Sequence, residues 1–309
     1  MPRSWVTPPG AVTQRFWAMD SEILVILPQE RAPAVHLVGD LFERWESQLS
    51  RFRPDSALSR LNRADGRPVA AGEPLLGVMR QALAAARATG GIFDPTLGDR
   101  IADLGYSTTF AALPEVVVPK LELAPPAAAW RDIRIGPLGV ITVPPGVAVD
   151  LGGIAKGMAV DAACAALAAA GIGPALVSAG GDLAVHGALP SGGWPVALET
   201  SDGQGTVTLS AGGLATSSTE MRRWQSTAGP MHHLLDPRTG RPAATDLVRA
   251  TVHAPTCEQA EVAAKTALIL GLDAGSDFLR RTHLSGLLTT RARSHPIGAW
   301  PGAEQVTAA

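Results

Sequence analysis

A single α+β unit is the fold the sequence predicts. Runs with strand propensity and runs with helical periodicity interleave from about residue 16 to residue 290, and neither an internal repeat nor a clear linker divides them. Length agrees with this, since 309 residues suffice for one large domain or two small ones with a substantial core. Hydrophobic residues at 46% and charged residues at 17% place the chain with globular rather than disordered proteins.

The elements follow in order. Residues 16–28, FWAMDSEILVILP, close in a β-prone run with a proline stop and read as a first strand, with residues 1–15 expected to be a flexible N-terminus. Leu37, Leu41, Trp45 and Leu49 recur four apart and mark one face of a helix over 33–49. A second helix is expected over 74–88, ended by Gly90 and Gly91. The stretch 105–147, rich in Pro and Ala, reads as loops and short strands. VAVD at 147–150 reads as a short strand, Gly152-Gly153 as a turn, and the run from Ile154 as a helix stopped by Gly171. ALVSAGGDLAVHG then gives two strands around a Gly-Gly turn. Further strands are expected at 194–200, 206–210 and 248–254, and helices at about 258–271 and 273–282. The residues 291–309, without periodicity, are expected to be a mobile tail.

Charge and cysteine usage exclude some functions. A formal net charge of −2 gives no general affinity for nucleic acid or for an anionic membrane. Cys164 and Cys257 are far apart and in no metal-ligand spacing, and Cys164 sits in an alanine-rich stretch that suits a small buried thiol. No apolar run reaches the roughly 18 residues that a membrane helix needs. No signal-peptide core or lipid-anchoring cysteine is evident near the N-terminus, so no membrane insertion and a cytoplasmic location are expected.

Four segments carry chemical character. VDLGGIAKG at 149–157 places glycines and Lys156 at a strand-to-helix junction, where backbone N–H groups and the helix terminus favour a phosphate or pyrophosphate. It is neither a Walker loop nor a GxGxxG fingerprint, and a glycine-permitted tight turn is the alternative reading. MHHLLDPRTGRP at 231–242 sets His232 and His233 before a turn sequence. Adjacent histidines on a strand point to opposite faces, so at most one of them faces a given site as proton acceptor. The acidic turns FDPT at 93–96, GGD at 180–182 and LDP at 235–237 read either as turn formers or as groups that orient a nucleotide or a metal. Glu261 and Lys265, four apart on one helix, form an intrahelical pair in one reading; in the other, an inward-facing Glu261 binds Mg²⁺.

Order along the chain is more specific than any one segment. Met-Asp-Ser at 19–21, SRFRPDSALSRLN at 50–62, GGIFDPT at 90–96, DLGGIAKGMAVD at 150–161, ALVSAGGDL at 175–183, LATSS at 214–218, HHLLDPRTG at 232–240 and AEVAAKTALILG at 260–271 succeed one another. This series resembles the FAD:protein FMN transferases, the ApbE family, from about residue 16 to 290. The resemblance implies an ApbE-like, T-fold-like α+β unit with mixed sheets, flanking helices and FAD in a central cleft. It implies Mg²⁺-dependent transfer of FMN from FAD to a Thr or Ser hydroxyl of a target flavoprotein, with release of AMP. It further implies that Met19 and Phe52 pack near the flavin, with Ser56, Asn62, Asp94 and Thr96 close by. Lys156 and Asp161 would bind the cofactor, Gly180 and Gly181 would admit the nucleotide backbone, and Thr216 would line the pocket. His233 would be the base, and the Gly153 carbonyl would reach the metal.

Three departures from that pattern stand out. Met-Asp-Ser replaces the usual Met-Gly-Thr, and Phe52 stands where Tyr or Trp is common. The family's Asp and Thr metal ligands, four apart in the late helix, correspond to Glu261 and Lys265, and a protonated lysine has no lone pair to offer. Two other functions fit the same motifs: an FAD pyrophosphatase that yields FMN and AMP, and a non-catalytic FAD-binding protein.

Overall fold

The computed structural model describes residues 7–120, 128–189, 192–201 and 203–300. Parts of the expected N-terminus (1–6), of the Pro/Ala-rich stretch (121–127) and of the expected tail (301–309) lie outside the described residues. Counting strands of four residues or more, the chain runs β1 (Ala11–Ala18), β2 (Ser21–Pro28), α1 (Val35–Leu49), α2 (Ala57–Asn62), α3 (Leu75–Ala88), α4 (Gly98–Asp103) and α5 (Ala155–Ala169). It continues through β3 (Ala175–Ala179), β4 (Asp182–His186), β5 (Trp194–Thr200), β6 (Gly203–Leu209), β7 (Gly212–Ser218), β8 (Arg223–Ser226) and β9 (Gly229–His232). It ends with β10 (Leu247–Ala254), α6 (Cys257–Leu270), α7 (Leu272–Arg281), β11 (Ser285–Thr290) and β12 (Ser294–Ile297).

Two compact units result, one from Met1–Glu43, Lys156–Ser217 and Thr245–Ala309, the other from Arg44–Ala155 and Ser218–Ala244. No linker announces them because three of the four passages between units fall in regular elements, within α1, at the start of α5 and at the end of β7, and the fourth, at Ala244–Thr245, falls in a short loop.

The first unit is built on an eight-stranded sheet of order β1-β2-β3-β4-β7-β10-β11-β12. The pairs β1–β2, β2–β3, β3–β4, β4–β7, β10–β11 and β11–β12 are antiparallel. In β2, Leu24 and Ile26 join Leu176, Leu183, Trp194 and Val207 in one buried cluster, which the β5–β6 hairpin helps to close. Alternation sends Ile23, Val25 and Leu27 to the opposite side, where they too are fully buried. A strand covered on both faces reads as an unbroken apolar run, which ILVIL at 23–27 is. Helix α6 packs on β10, and α7 packs on α6 and β11. Both cysteines are buried thiols.

The expected strand at 16–28 is instead a hairpin. β1 pairs with β2 in a register that opposes Ala18 to Ser21, leaving Met19 and Asp20 as the two-residue tip. Both tip residues have positive φ, 51° and 54°, the demand of a type I′ turn. Met-Asp is not among the usual I′ dipeptides, so the turn was hidden in what reads as one strand. β1 reaches back to Ala11, and β12 lies within the segment expected to be a tail.

In the second unit Leu97, Ile101, Leu104, Tyr106, Val117, Trp224, Met231 and Leu235 form the core, with Phe52, Phe110 and Leu113 packed against it. The Trp224 indole N–H donates to the Leu104 carbonyl at 3.1 Å. Residues 147–150 do not form the expected strand. The Val149 backbone is satisfied by a side chain instead: its N–H donates to Asn62 Oδ1 and its carbonyl accepts from Asn62 Nδ2, both at 2.9 Å. An amide presents the same donor and acceptor as a neighbouring strand, so extended backbone here needs no ladder.

Candidate functional site

In the first unit the helix that starts after the Gly152-Gly153 turn brings Lys156 to two carboxylates. Its Nζ donates to Asp182 Oδ2 at 2.8 Å and to Glu261 Oε1. The remaining carboxylate oxygens are also engaged: Glu261 Oε2 accepts from the Gly157 N–H at 2.8 Å, and Asp182 Oδ1 from the Thr216 N–H at 3.1 Å. The Thr216 hydroxyl lies 3.0 Å from that of Thr251. Glu261 and Asp182 are buried, and the Lys156 side chain is only 16% exposed. Burial alone would lower the Lys156 pKa, but Asp182 and Glu261 outweigh it and hold the ammonium protonated, well above the ordinary lysine range.

Close helix packing makes this cluster feasible. A Cβ at Gly157 would lie 2.8 Å from the Glu258 Cα and 2.9 Å from Cys257 backbone, so glycine lets α5 and α6 meet backbone to backbone. Asp161, one turn further on, accepts from the Cys257 and Glu258 N–H groups with its two oxygens, each at 2.9 Å. It thereby caps the start of α6 together with Thr256, whose hydroxyl accepts from the Gln259 N–H. Glu258, beside Asp161 and Glu261, is pushed up to about 7, first by burial and then by those two carboxylates. Lys265 lies one turn beyond Glu261 on the same side of α6 and is half-buried.

The β3–β4 turn borders this cluster. Gly180 and Gly181 take φ of 60° and 102° and lead directly into Asp182. A Cβ at Gly180 would meet Ser21 Oγ at 3.0 Å, and the Gly180 N–H donates to the Glu22 carbonyl. The Met19-Asp20-Ser21 tip therefore sits beside the Gly-Gly turn. In this unit the structure thus brings together Met19, Lys156, Asp161, Gly180, Gly181, Thr216 and Glu261. Sequence reasoning missed Asp182 as the partner of Lys156. The signal was available, since Asp182 directly follows Gly-Gly and opens an otherwise apolar strand.

The donor set does not fit the Mg²⁺ that the resemblance implies. All four oxygens of Asp182 and Glu261 accept from N–H or ammonium donors, and Lys265 offers no lone pair. Among the described residues no three His, Cys, Asp or Glu side chains gather to hold a metal ion. The anion held at the start of α5 is the carboxylate of Glu261, where the sequence suggested a phosphate.

The second unit holds the other candidates. Ser56 is fully buried and caps α2, its Oγ accepting from the Ser59 N–H at 2.9 Å. Asn62 clamps Val149 as described above. Asp94 accepts from both the backbone N–H and the hydroxyl of Thr96, a local turn in FDPT. Phe52 packs on Tyr106, with ring centroids 5.5 Å apart, and Tyr106 contacts Phe110 and Trp224. Arg51, missed in the sequence, lies 4.1 Å above the Phe52 ring and 4.8 Å from that of Tyr106. Its Nε is 3.3 Å from Asp150 Oδ2. Gly153 belongs to the turn that follows Asp150.

His232 ends β9, and its Nδ1 accepts from the Leu234 N–H at 3.3 Å, so that imidazole is committed to its own turn. Burial pushes its pKa down and Arg223 adds to that, which keeps it neutral near pH 7. His233 follows immediately and is half-buried. The DPRTG segment closes as the expected turn, with Leu235 opposite Pro242 and Asp236 opposite Arg241. Arg238 reaches both oxygens of Asp236.

The model of the ApbE family matches residues 19–288. A FAD:protein FMN transferase of Treponema pallidum is 30% identical over 267 residues, spanning 80% of this chain and 74% of the relative. One from Klebsiella pneumoniae is 29% identical over 287 residues, spanning 89% and 88%. Among solved structures, the ApbE protein of Thermotoga maritima superposes with a TM-score of 0.83 at 23% identity, covering 93% of this chain and 97% of that one. The flavin transferase ApbE of Vibrio cholerae gives 0.79 at 24% identity, covering 94% and 98%. These likenesses establish the α+β ApbE fold. Among the described residues no helix is long and apolar enough to cross a membrane.

Proposed function

The chain belongs to the ApbE family, and from that membership we propose that it transfers the FMN half of FAD to a Thr or Ser hydroxyl of an acceptor flavoprotein, releasing AMP. The observation that carries this reading is the gathering of Lys156, Asp182, Thr216 and Glu261 beside the Gly180-Gly181 turn in one unit. The transferases of Treponema pallidum and Klebsiella pneumoniae support the substrate assignment.

In the reaction the acceptor hydroxyl oxygen bonds to the FMN-side phosphorus while the bond from that phosphorus to the bridging oxygen breaks, and AMP leaves with that oxygen. His233 takes the hydroxyl proton, a role typically worth about 10²–10⁴-fold. An ammonium has three donors, and Lys156 gives two to Asp182 and Glu261, so the third remains for a phosphate oxygen. Lys265 adds a second ammonium on the Glu261 side of α6. Positioning and charge neutralisation supply most of the acceleration in such transfers. Since the residues do not fit a divalent metal, this neutralisation is assigned to the chain's own cations.

The test incubates the purified protein with FAD and an acceptor domain carrying an accessible Thr, with Mg²⁺ or with excess chelator. A mass gain equal to FMN on the acceptor and an equal amount of AMP are expected in both, and both should vanish in His233→Ala. Labelling that stops on chelation would refute the metal-free assignment and leave the transferase standing. A second reading, FAD binding without turnover, is favoured by the carboxylates that are already occupied. Bound FAD with no AMP would establish it, and AMP without labelling would indicate the pyrophosphatase.

A further inference from the structure

We infer that Arg51 is a positioning residue that ties the aromatic surface of Phe52 and Tyr106 to the Gly152-Gly153 turn within the second unit, the first meeting the ring of FAD and the second its phosphate end. The inference rests on the FAD reading above. The guanidinium lies over Phe52 at 4.1 Å and Tyr106 at 4.8 Å, and its Nε is paired with Asp150 at 3.3 Å. The other oxygen of Asp150, Oδ1, accepts from the Gly152 N–H at 2.7 Å and so fixes the turn that contains Gly153. One side chain therefore contacts the aromatic surface directly and sets the glycine turn through a single carboxylate.

Geometry also argues against plain structural filling. Arg51 Nη2 is buried and has no hydrogen-bond partner among the described residues. A buried donor left unmade is a standing penalty, and native structures keep few of them without a reason. Lysine could not replace this arrangement, since only a planar guanidinium stacks on a ring while pairing edge-on with a carboxylate. Asn62 holds Val149, next to Asp150, so the segment ahead of the turn is pinned on both sides.

A coupling device makes a specific prediction about ligand halves. Affinities for FAD and for riboflavin, which has the ring and no phosphate, are to be measured by flavin fluorescence for the wild type, Asp150→Asn, Arg51→Lys and the double variant, each with a melting curve. Asp150→Asn should weaken FAD about tenfold and leave riboflavin unchanged, because the amide keeps an acceptor for the Gly152 N–H but loses the carboxylate oxygen that Arg51 Nε pairs with, which unties the turn from the guanidinium. Arg51→Lys should weaken both ligands, and the double variant should match Arg51→Lys because the two changes cut one path. Additive losses, or FAD affinity unchanged in Asp150→Asn, would overturn the inference. So would parallel loss of both ligands and of melting temperature in Asp150→Asn, which would mark a structural role. A wild type that binds no FAD would instead sink the functional reading itself.

Discussion

Lys156 is an ammonium taken out of water and held by two buried carboxylates, so its worth lies in what its absence would expose. Truncation leaves Asp182 and Glu261 facing each other without a counter-charge, and breaking a buried pair in this way costs about 3–5 kcal/mol. Lys156→Met should therefore lower the urea midpoint sharply, and adding Glu261→Gln should restore part of the loss by removing one of the stranded charges. A chemical-denaturation series decides it, and an unchanged midpoint in Lys156→Met would refute the buried triad. Glu258 makes a pH-dependent prediction. Its carboxyl sits near 7 when folded, above the ordinary value of 4.5, so the native state binds more protons than the unfolded one between those values. Stability must then fall as pH rises from about 4.5 to 7. Glu258→Gln should raise the melting temperature by about 2 °C at pH 8 and leave it unchanged near pH 4, a difference that two calorimetric scans resolve.

At the scale of elements the site depends on how tightly α5 and α6 approach. Gly157 is the contact, and Asp161 locks it by capping the start of α6 from α5. Gly157→Ala should force the helices apart, cost about 1–3 kcal/mol as overpacking does, and withdraw the Gly157 N–H from Glu261. An alanine variant as stable as the parent, with its α5–α6 spacing unchanged in a crystal structure, would contradict this. The late helices and strands β5 and β10 were legible because each has its period, cap or breaker in one short window. The β1–β2 hairpin was not, since positive φ at Met19 and Asp20 is imposed by pairing rather than announced by Asn or Gly. Residues 147–150 misled for the converse reason: the strand-like composition is real, but Asn62, 87 positions earlier, supplies the partner a strand would have had.

For the molecule as a whole, the sequence revealed the α+β class and the order of the motifs. The division into two units was out of reach, because each is assembled from separated stretches that only long-range contacts join. Asp182 stood out after Gly180-Gly181, but its pairing with Lys156 beside Glu261 was out of reach as a geometry of three segments and not of any one. The eight-stranded sheet has a further consequence. Its spatial order follows the order of its strands in the chain, even though residues 44–155 and 218–244 are given to the other unit on the way. On the ribosome each strand therefore meets its predecessor already in place, and assembly can proceed from one edge as the chain emerges. Proteolysis of stalled nascent chains would show this as protection of β1 and β2 gained once β4 has emerged, well before β12 exists. Among the described strands, β12 is then both the last in the chain and an edge of the sheet, so that edge is laid down only after the rest of the template is in place.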